Sequence, residues 1–103
     1  HNHTKRILLK KLQENYSKLL FFHFGDIDAG GIYILKHLRD KTNINFIPYK
    51  MDVETLSSNK EGWKELTKND VKRLSKIKDG EFLDLIDYML SNNCKLEQEA
   101  IEI

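Results

Sequence analysis

The sequence contains very little of the residues that define many specialised small proteins. Its 103 residues include one cysteine, one proline and five glycines, and 17 Lys and Arg stand against 16 Asp and Glu. The single cysteine, Cys94, excludes an internal disulfide, and Cys and His are not spaced as zinc ligands. The near-zero net charge excludes a histone-like protein that binds nucleic acid through bulk charge. These absences leave a single domain of ordinary composition over residues 1–103.

Long apolar runs are absent as well. The longest, residues 19–24, is far shorter than the roughly 20 residues of a membrane helix, and no signal sequence precedes it. We therefore expect a cytoplasmic protein without a membrane partner. Residues 1–4 are interpreted as a tag remnant or a disordered start.

Apolar periodicity predicts an α/β fold. Residues 5–16 have the pattern of an amphipathic helix, and the unbroken run at 19–24 is typical of a central parallel strand covered on both faces. Helical spacing returns from Ile32 to Leu38, and residues 45–51 form a second strand candidate, for which Pro48 favours an edge. The remainder is predicted to be helical, with Thr67 as a cap and a strong amphipathic pattern at residues 82–90.

Two aspartates lie where the buried strand ends and the next helix begins, within residues 25–31. Asp26 and Asp28, spaced i, i+2 at the end of an extended segment, point to the same side, where a divalent cation would relieve their repulsion. Carboxylate oxygens without Cys or His favour Mg²⁺ or Mn²⁺. Gly30 and Gly31 allow a ligand to approach a helix N-terminus, which favours an anion. The alternative is that either aspartate only caps the helix or turn.

Three further acidic residues are candidates for the same site. Asp52 follows the second strand, at the same sheet edge if the strands are parallel, although Asp52 taken by itself fits the N-cap of a helix over residues 53–56 slightly better. Glu97 and Glu99 lie about 200° apart on a regular helix, so both can face one ion only if their segment is extended or irregular. The alternative for this pair is a solvated acidic turn.

Three short motifs, Gly-Asp-Ile-Asp-Ala-Gly-Gly at 25–31, Met-Asp-Val-Glu-Thr-Leu at 51–56 and Leu-Glu-Gln-Glu at 96–99, together resemble a bacterial family. The similarity is to the Toprim-like C-terminal domain of the family that includes the nuclease subunit of the Wadjet anti-plasmid defence system. That domain is related to the Toprim domain of the topoisomerase VI A subunit. The resemblance implies a Toprim-like, Rossmann-like α/β fold with a parallel sheet flanked by helices, here as a truncated domain with extra C-terminal helices.

The resemblance also implies Mg²⁺-dependent (or Mn²⁺-dependent) DNA cleavage, by phosphodiester hydrolysis or nicking. Asp26 and Asp28 would be catalytic and metal-binding, Asp52 would complete the metal site, and Glu97 and Glu99 would be catalytic. Implied partners are DNA and, for defence-system members, subunits of the SMC type. The family has a further glutamate on a strand before the first helix. Neither that strand nor a glutamate precedes the predicted helix over residues 5–16 in this sequence. We therefore expect the 103-residue chain alone to bind metal weakly and to cleave little or no DNA.

Two other classes of function remain open. One is a non-catalytic Toprim-like interaction module, in which the acidic edge only caps and packs. The other is a phosphoacceptor receiver domain with Asp52 as the acceptor. A receiver is less favoured because no predicted strand follows Met51 to supply the hydroxyl and the lysine that receivers need.

Overall fold

The computed structural model describes residues 3–15, 19–78 and 80–101 of the chain. Within these ranges the protein is a mixed α/β domain with five α-helices and a two-stranded parallel sheet. The elements are α1 (His3–Asn15), β1 (Phe22–His23), α2 (Ala29–Thr42), β2 (Ile47–Pro48), α3 (Val53–Ser58), α4 (Lys68–Lys76) and α5 (Leu83–Asn92). Single turns of 3₁₀-helix lie at Lys60–Gly62, Gly80–Phe82 and Gln98–Ala100. No helix in these ranges has the length and apolar character to cross a membrane.

The predicted strand–helix–strand unit is confirmed, with shorter strands than expected. β1 and β2 are parallel, and Phe22 lies opposite Ile47. The Ile47 N–H donates to the Phe21 carbonyl, and the Tyr49 N–H donates to the His23 carbonyl, each at 2.8 Å. Alternate residues of a strand point their N–H groups to opposite sides, so the nitrogen of Pro48 faces away from β1. This orientation agrees with the sequence-based expectation that proline lies on an edge strand.

The prediction that residues 19–24 form a strand covered on both faces is wrong for the described part of the chain. Only Phe22 and His23 are in a strand, and the side chains of Leu20 and Phe22 are 68% and 56% exposed. The opposite face is covered, since Phe21 packs against Phe46 with ring centroids 5.8 Å apart. On the exposed face, Phe22 meets the Tyr49 ring edge-on at 6.4 Å. A run of apolar residues indicates that burying these side chains is favourable. It does not show that other elements of the fold cover both faces of the strand.

α2 and α5, the two helices whose apolar periodicity is clearest, supply most of the helical side chains of the core. Asp28 caps the start of α2, and Asn43 ends that helix in the left-handed conformation. α5 carries the buried face predicted from residues 82–90. The side chains that contribute most from these two helices are Ile32, Leu35, Leu38, Leu85, Ile86 and Met89. Ala29 and Gly31 are buried at the N-terminal end of α2, where the candidate site lies.

The other two long helices bury less than their patterns suggest. α1 has no buried residue, and Leu8 is 57% exposed, so this helix rests on the domain through partly buried Leu9. α4 buries only Leu74. Thr67 caps α4 as predicted, in a reciprocal capping box with Asp70.

Candidate functional site

The acidic loop, defined here as residues 25–31, is held by the core through its central residue. Ile27 is fully buried and forms an antiparallel bridge with Leu96, with backbone hydrogen bonds of 2.8 and 3.0 Å in the two directions. Successive side chains of an extended segment point to opposite sides. Asp26 and Asp28 therefore share the side that faces away from the core, as the spacing predicts.

Asp28 combines a structural role with an unusual electrostatic one. Its Oδ1 accepts a hydrogen bond of 2.6 Å from the Gly31 N–H, which caps α2. The side chain is half-buried, and this burial is the main cause that raises the pKa of Asp28 above its ordinary value. The Gly31 N–H opposes that rise, whereas the nearby charge of Asp26 adds to it. The two carboxylates are thus close enough to interact, and ionising Asp28 is costly.

Asp26 links the acidic loop to the C-terminal segment. Its Oδ1 accepts a 2.7 Å hydrogen bond from the Gln98 N–H, across 72 positions of sequence. Its main chain also lies against Gly31, because a Cβ at position 31 would overlap the Asp26 carbonyl oxygen. Gly31 is therefore required by packing, in addition to any role at a ligand.

The environment of Gly30 is more open and more polar than that of Gly31. A Cβ at this position would lie 3.4 Å from Asp28 Oδ1 and 3.9 Å from Nη2 of Arg73. The exposed guanidinium of Arg73, from α4, thus stands beside the start of α2 on the side of the acidic pair. Sequence reasoning did not identify Arg73, since nothing in the pattern of α4 connects it to residues 25–31.

The C-terminal motif at 96–99 does lie beside the acidic loop, but its backbone makes the contact. Leu96 and Gln98 bond to Ile27 and Asp26 through main-chain groups. The Glu97 side chain instead forms an exposed ion pair of 2.7 Å with Lys64, and that partner holds the pKa of Glu97 below its usual range. Glu99 is exposed within the 3₁₀ turn, so the segment is irregular rather than helical.

A second ion pair borders the acidic loop and was also not predicted. Lys95 bonds Asp70 at 2.6 Å, and both side chains are largely shielded from solvent. This bond is the main reason why the pKa of Asp70 is low. The charge of Lys95 also favours ionised Asp28, while Asp70 opposes it. The only trace in the sequence is that Lys95 directly precedes Leu96, and its partner is 25 residues away.

Asp52 does not form a metal-binding group with Asp26 and Asp28 in the described part of the chain. It is exposed, and its Oδ1 accepts a 2.8 Å hydrogen bond from the Thr55 N–H as the N-cap of α3. It lines two neighbouring surface depressions of about 490 and 350 Å³, and neither is lined by Asp26 or Asp28. Across residues 3–15, 19–78 and 80–101, no three His, Cys, Asp or Glu side chains are arranged to hold a metal ion. The expected convergence of three carboxylates is not formed in these ranges.

His23 lies in β1, two residues before the acidic loop begins. Its Nε2 is buried without a hydrogen-bond partner among the described residues, and it lies 2.6 Å from the position that a Cβ on Gly25 would take. Burial, with a smaller effect of the Arg39 charge, lowers the pKa of His23. The neutral imidazole is therefore the favoured form.

Comparison with known proteins places the chain in a family. Residues 4–103 match the family model described as Wadjet protein JetD, C-terminal, and the chain belongs to this family. A relative is the Wadjet protein JetD of Bacillus cereus (strain Q1), which is 33% identical over 101 residues. The match covers 91% of this chain and 24% of that protein, so the chain spans about a quarter of the length of its curated relative. No solved structure matches the chain.

Proposed function

We propose that this chain supplies the aspartate pair of a Toprim-like, Mg²⁺-dependent DNA-cleaving centre in a cytoplasmic protein of anti-plasmid defence. The observation that carries the proposal is that Asp26 and Asp28 are close enough for their charges to interact, and that each has Oδ1 held by a backbone N–H, at 2.7 and 2.6 Å. The second carboxylate oxygen of each has no hydrogen-bond partner in the described part of the chain. Each aspartate thus keeps one oxygen for a cation.

The donor set of this pair fits a magnesium ion. Mg²⁺ is typically bound by one or two carboxylates, and its remaining ligands are waters and substrate phosphate oxygens. Mn²⁺ accepts the same oxygen donors. A bound ion would polarise the scissile phosphate and stabilise the charge that develops on its oxygens. It would also offset the burial and the mutual repulsion that make Asp28 hard to ionise.

The chain offers its own groups to a phosphate beside this pair. The N-terminal end of α2 favours an anion, and the lack of a side chain at Gly30 leaves that end accessible. The Arg73 guanidinium, which lies beside Gly30, would donate to a non-bridging phosphate oxygen. These groups would orient the phosphodiester for attack by water, with the phosphorus–oxygen bond to the leaving strand breaking in the same step.

The role in defence is supported by membership in the family of the Wadjet protein JetD. For the whole protein we propose DNA as the substrate and SMC-type subunits as partners. Glu97 and Glu99 stand near the pair through their backbone, and Glu97 is engaged by Lys64, so we assign the metal to Asp26 and Asp28.

A Mn²⁺ titration followed by NMR tests the metal site. We expect paramagnetic broadening centred on residues 25–31 at millimolar Mn²⁺, and at least about tenfold weaker binding for Asp28→Asn. Asparagine keeps an oxygen that accepts from the Gly31 N–H, so the cap of α2 survives and only the charge is lost. Broadening that is absent in the wild type, or unchanged in the variant, would contradict the site.

Asp52→Asn is the matched control, because it makes the same change at another helix cap. We expect this variant to bind Mn²⁺ as the wild type does. Equal weakening by Asp28→Asn and Asp52→Asn would show that the loss reflects overall charge or a shared ligand rather than the pair that we propose.

A non-catalytic interaction module is the second candidate function. It is favoured by the structural hydrogen bonds that both aspartates already make and by the lack of a three-ligand group among the described residues. In that case Mn²⁺ leaves the melting temperature unchanged. A metal site instead requires that Mn²⁺ raise the melting temperature of the wild type, and more than that of Asp28→Asn.

A further inference from the structure

The basic residues of the chain are unevenly distributed along the sequence. Residues 1–50 contain nine Lys and Arg against four Asp and Glu, whereas residues 51–103 contain eight against twelve. α1 alone carries four Lys and Arg against one Glu. The near-neutral total therefore conceals a basic N-terminal half, and clustered basic residues are common in proteins that contact nucleic acid.

Three of these cations converge on one groove between α1 and α2. The groove has a volume of about 200 Å³ and is lined by His3, Arg6, Ile7, Lys10, Lys41 and Thr42. Arg6 and Lys10 are one turn apart on α1, so they share a face of that helix. Lys41 reaches the same groove from the last turn of α2.

The charges of this groove are not neutralised within the described part of the chain. Arg6, Lys10 and Lys41 form no ion pair there, in contrast to Lys64, Lys78 and Lys95, which are paired with Glu97, Asp87 and Asp70. Among the residues that the structure describes, no carboxylate lines the groove. An anion that entered it would therefore meet three cations and no repelling group from these residues.

The position of the groove relative to the acidic loop suggests which anion it binds. Asp28 caps the start of α2 and Lys41 lies near its end, so about 20 Å of helix separates them. With a rise of about 3.4 Å for each nucleotide of a strand, that distance corresponds to roughly six base pairs. A duplex that ran along α2 from the acidic loop would therefore reach the groove end of this helix after about six base pairs.

We propose that Arg6, Lys10 and Lys41 bind the phosphate backbone of duplex DNA and hold it alongside α2. The choice of ligand rests on the proposed function. The binding itself needs neither the aspartate pair nor a metal ion. Contacts of this kind carry no sequence information, so the groove would position DNA without selecting a site in it.

The test is fluorescence anisotropy with a duplex of about 20 base pairs in EDTA, which separates this binding from any metal-dependent step. Substitution of all three residues by alanine should weaken binding about tenfold or more. It should also reduce the slope of log affinity against log salt by about 3, since each lost phosphate contact removes about 0.9. A matched control replaces Lys68, Lys72 and Lys76 of α4 by alanine, which removes the same charge from another exposed helix.

Equal affinity and equal salt slopes for the groove and control variants would overturn the proposal, as would a wild-type chain that does not bind duplex in EDTA. Binding to anionic phosphatidylserine vesicles that depends on the groove, without binding to DNA, would overturn it in favour of a membrane surface. None of these results bears on the aspartate pair, because the Mn²⁺ titration with Asp28→Asn tests that pair separately.

Discussion

Gly31 lies so close to the main chain of Asp26 that a Cβ at position 31 would overlap the Asp26 carbonyl oxygen. The acidic loop can therefore fold back on the first turn of α2 only if residue 31 is glycine. The same N–H of Gly31 caps the helix by donating to Asp28. One residue thus sets the position of both aspartates.

Gly31→Ala should destabilise the domain by about 1–3 kcal/mol, because the overlap is with backbone atoms that cannot move independently. Gly30→Ala is the matched control, since a Cβ there makes only ordinary contacts and alanine favours a helix. We expect this control to be neutral or slightly stabilising. Urea denaturation of both variants measures the difference, and equal free energies of unfolding would contradict the packing argument.

The charge of Asp28 should lower the stability of the metal-free domain at neutral pH. Its pKa is raised in the folded state, so the folded protein holds this proton more tightly than the unfolded chain, and stability falls as pH rises through the ordinary pKa to the raised one. Asp28→Asn, which keeps the cap, should be at least as stable as the wild type at pH 7. Its advantage should disappear as pH is lowered through that window. Urea denaturation of both proteins at pH 4 and pH 7 checks this. The prediction is contradicted if the stability of Asp28→Asn relative to wild type is lower at pH 7 than at pH 4.

His23 should make the domain less stable in mild acid. Its pKa is lowered by burial and by Arg39, so the unfolded chain binds this proton more readily than the folded one. Stability should therefore fall as pH decreases from the ordinary histidine value near 6.5 toward the lowered folded value. His23→Phe should remove this part of the pH dependence. An unchanged slope of unfolding free energy against pH between about 5 and 7 would show that another group is responsible.

Arg39 should stabilise the domain through its shape as well as its charge. Its guanidinium donates two hydrogen bonds to the Phe46 carbonyl and two to Glu81, and so joins α2 to the segment before β2 and to the 3₁₀ turn before α5. Arg39→Lys keeps the charge but loses this geometry, and should cost about 1–2 kcal/mol. Glu81→Gln, which breaks only the partly exposed ion pair, should cost less than about 1 kcal/mol. Equal losses would show that the ion pair, rather than the Phe46 contact, is what matters.

The sequence predicts those parts of this fold that depend on local spacing. The buried faces of α2 and α5 and the cap at Thr67 follow from patterns within a few residues, and the structure confirms them. Neighbouring residues also predict that Asp26 and Asp28 share a side. The exposed face of β1 could not be predicted, because the same apolar run is compatible with one covered face or two.

Long-range contacts account for the rest of the site, and no local pattern encodes them. The hydrogen bond between Asp26 and Gln98 spans 72 positions, and Lys95 reaches Asp70 across 25. The motif at 96–99 predicts proximity to the acidic loop. Its acidic residues, however, suggest contacts through the Glu97 and Glu99 side chains. The contacts that form use main-chain groups of Leu96 and Gln98 instead. Arg73 lies beside Gly30 only because α4 packs there, which its own sequence does not show.

Pro48 determines on which side of the two-stranded sheet a further strand can pair. Since its nitrogen points outward from β2 and carries no hydrogen, a strand that approached from that side would lack one of its donors. An incoming strand can complete a regular ladder only on the β1 side. The proline thus blocks unwanted pairing between exposed strand edges on one flank, and leaves the flank next to Phe22 as the one on which the sheet can be extended.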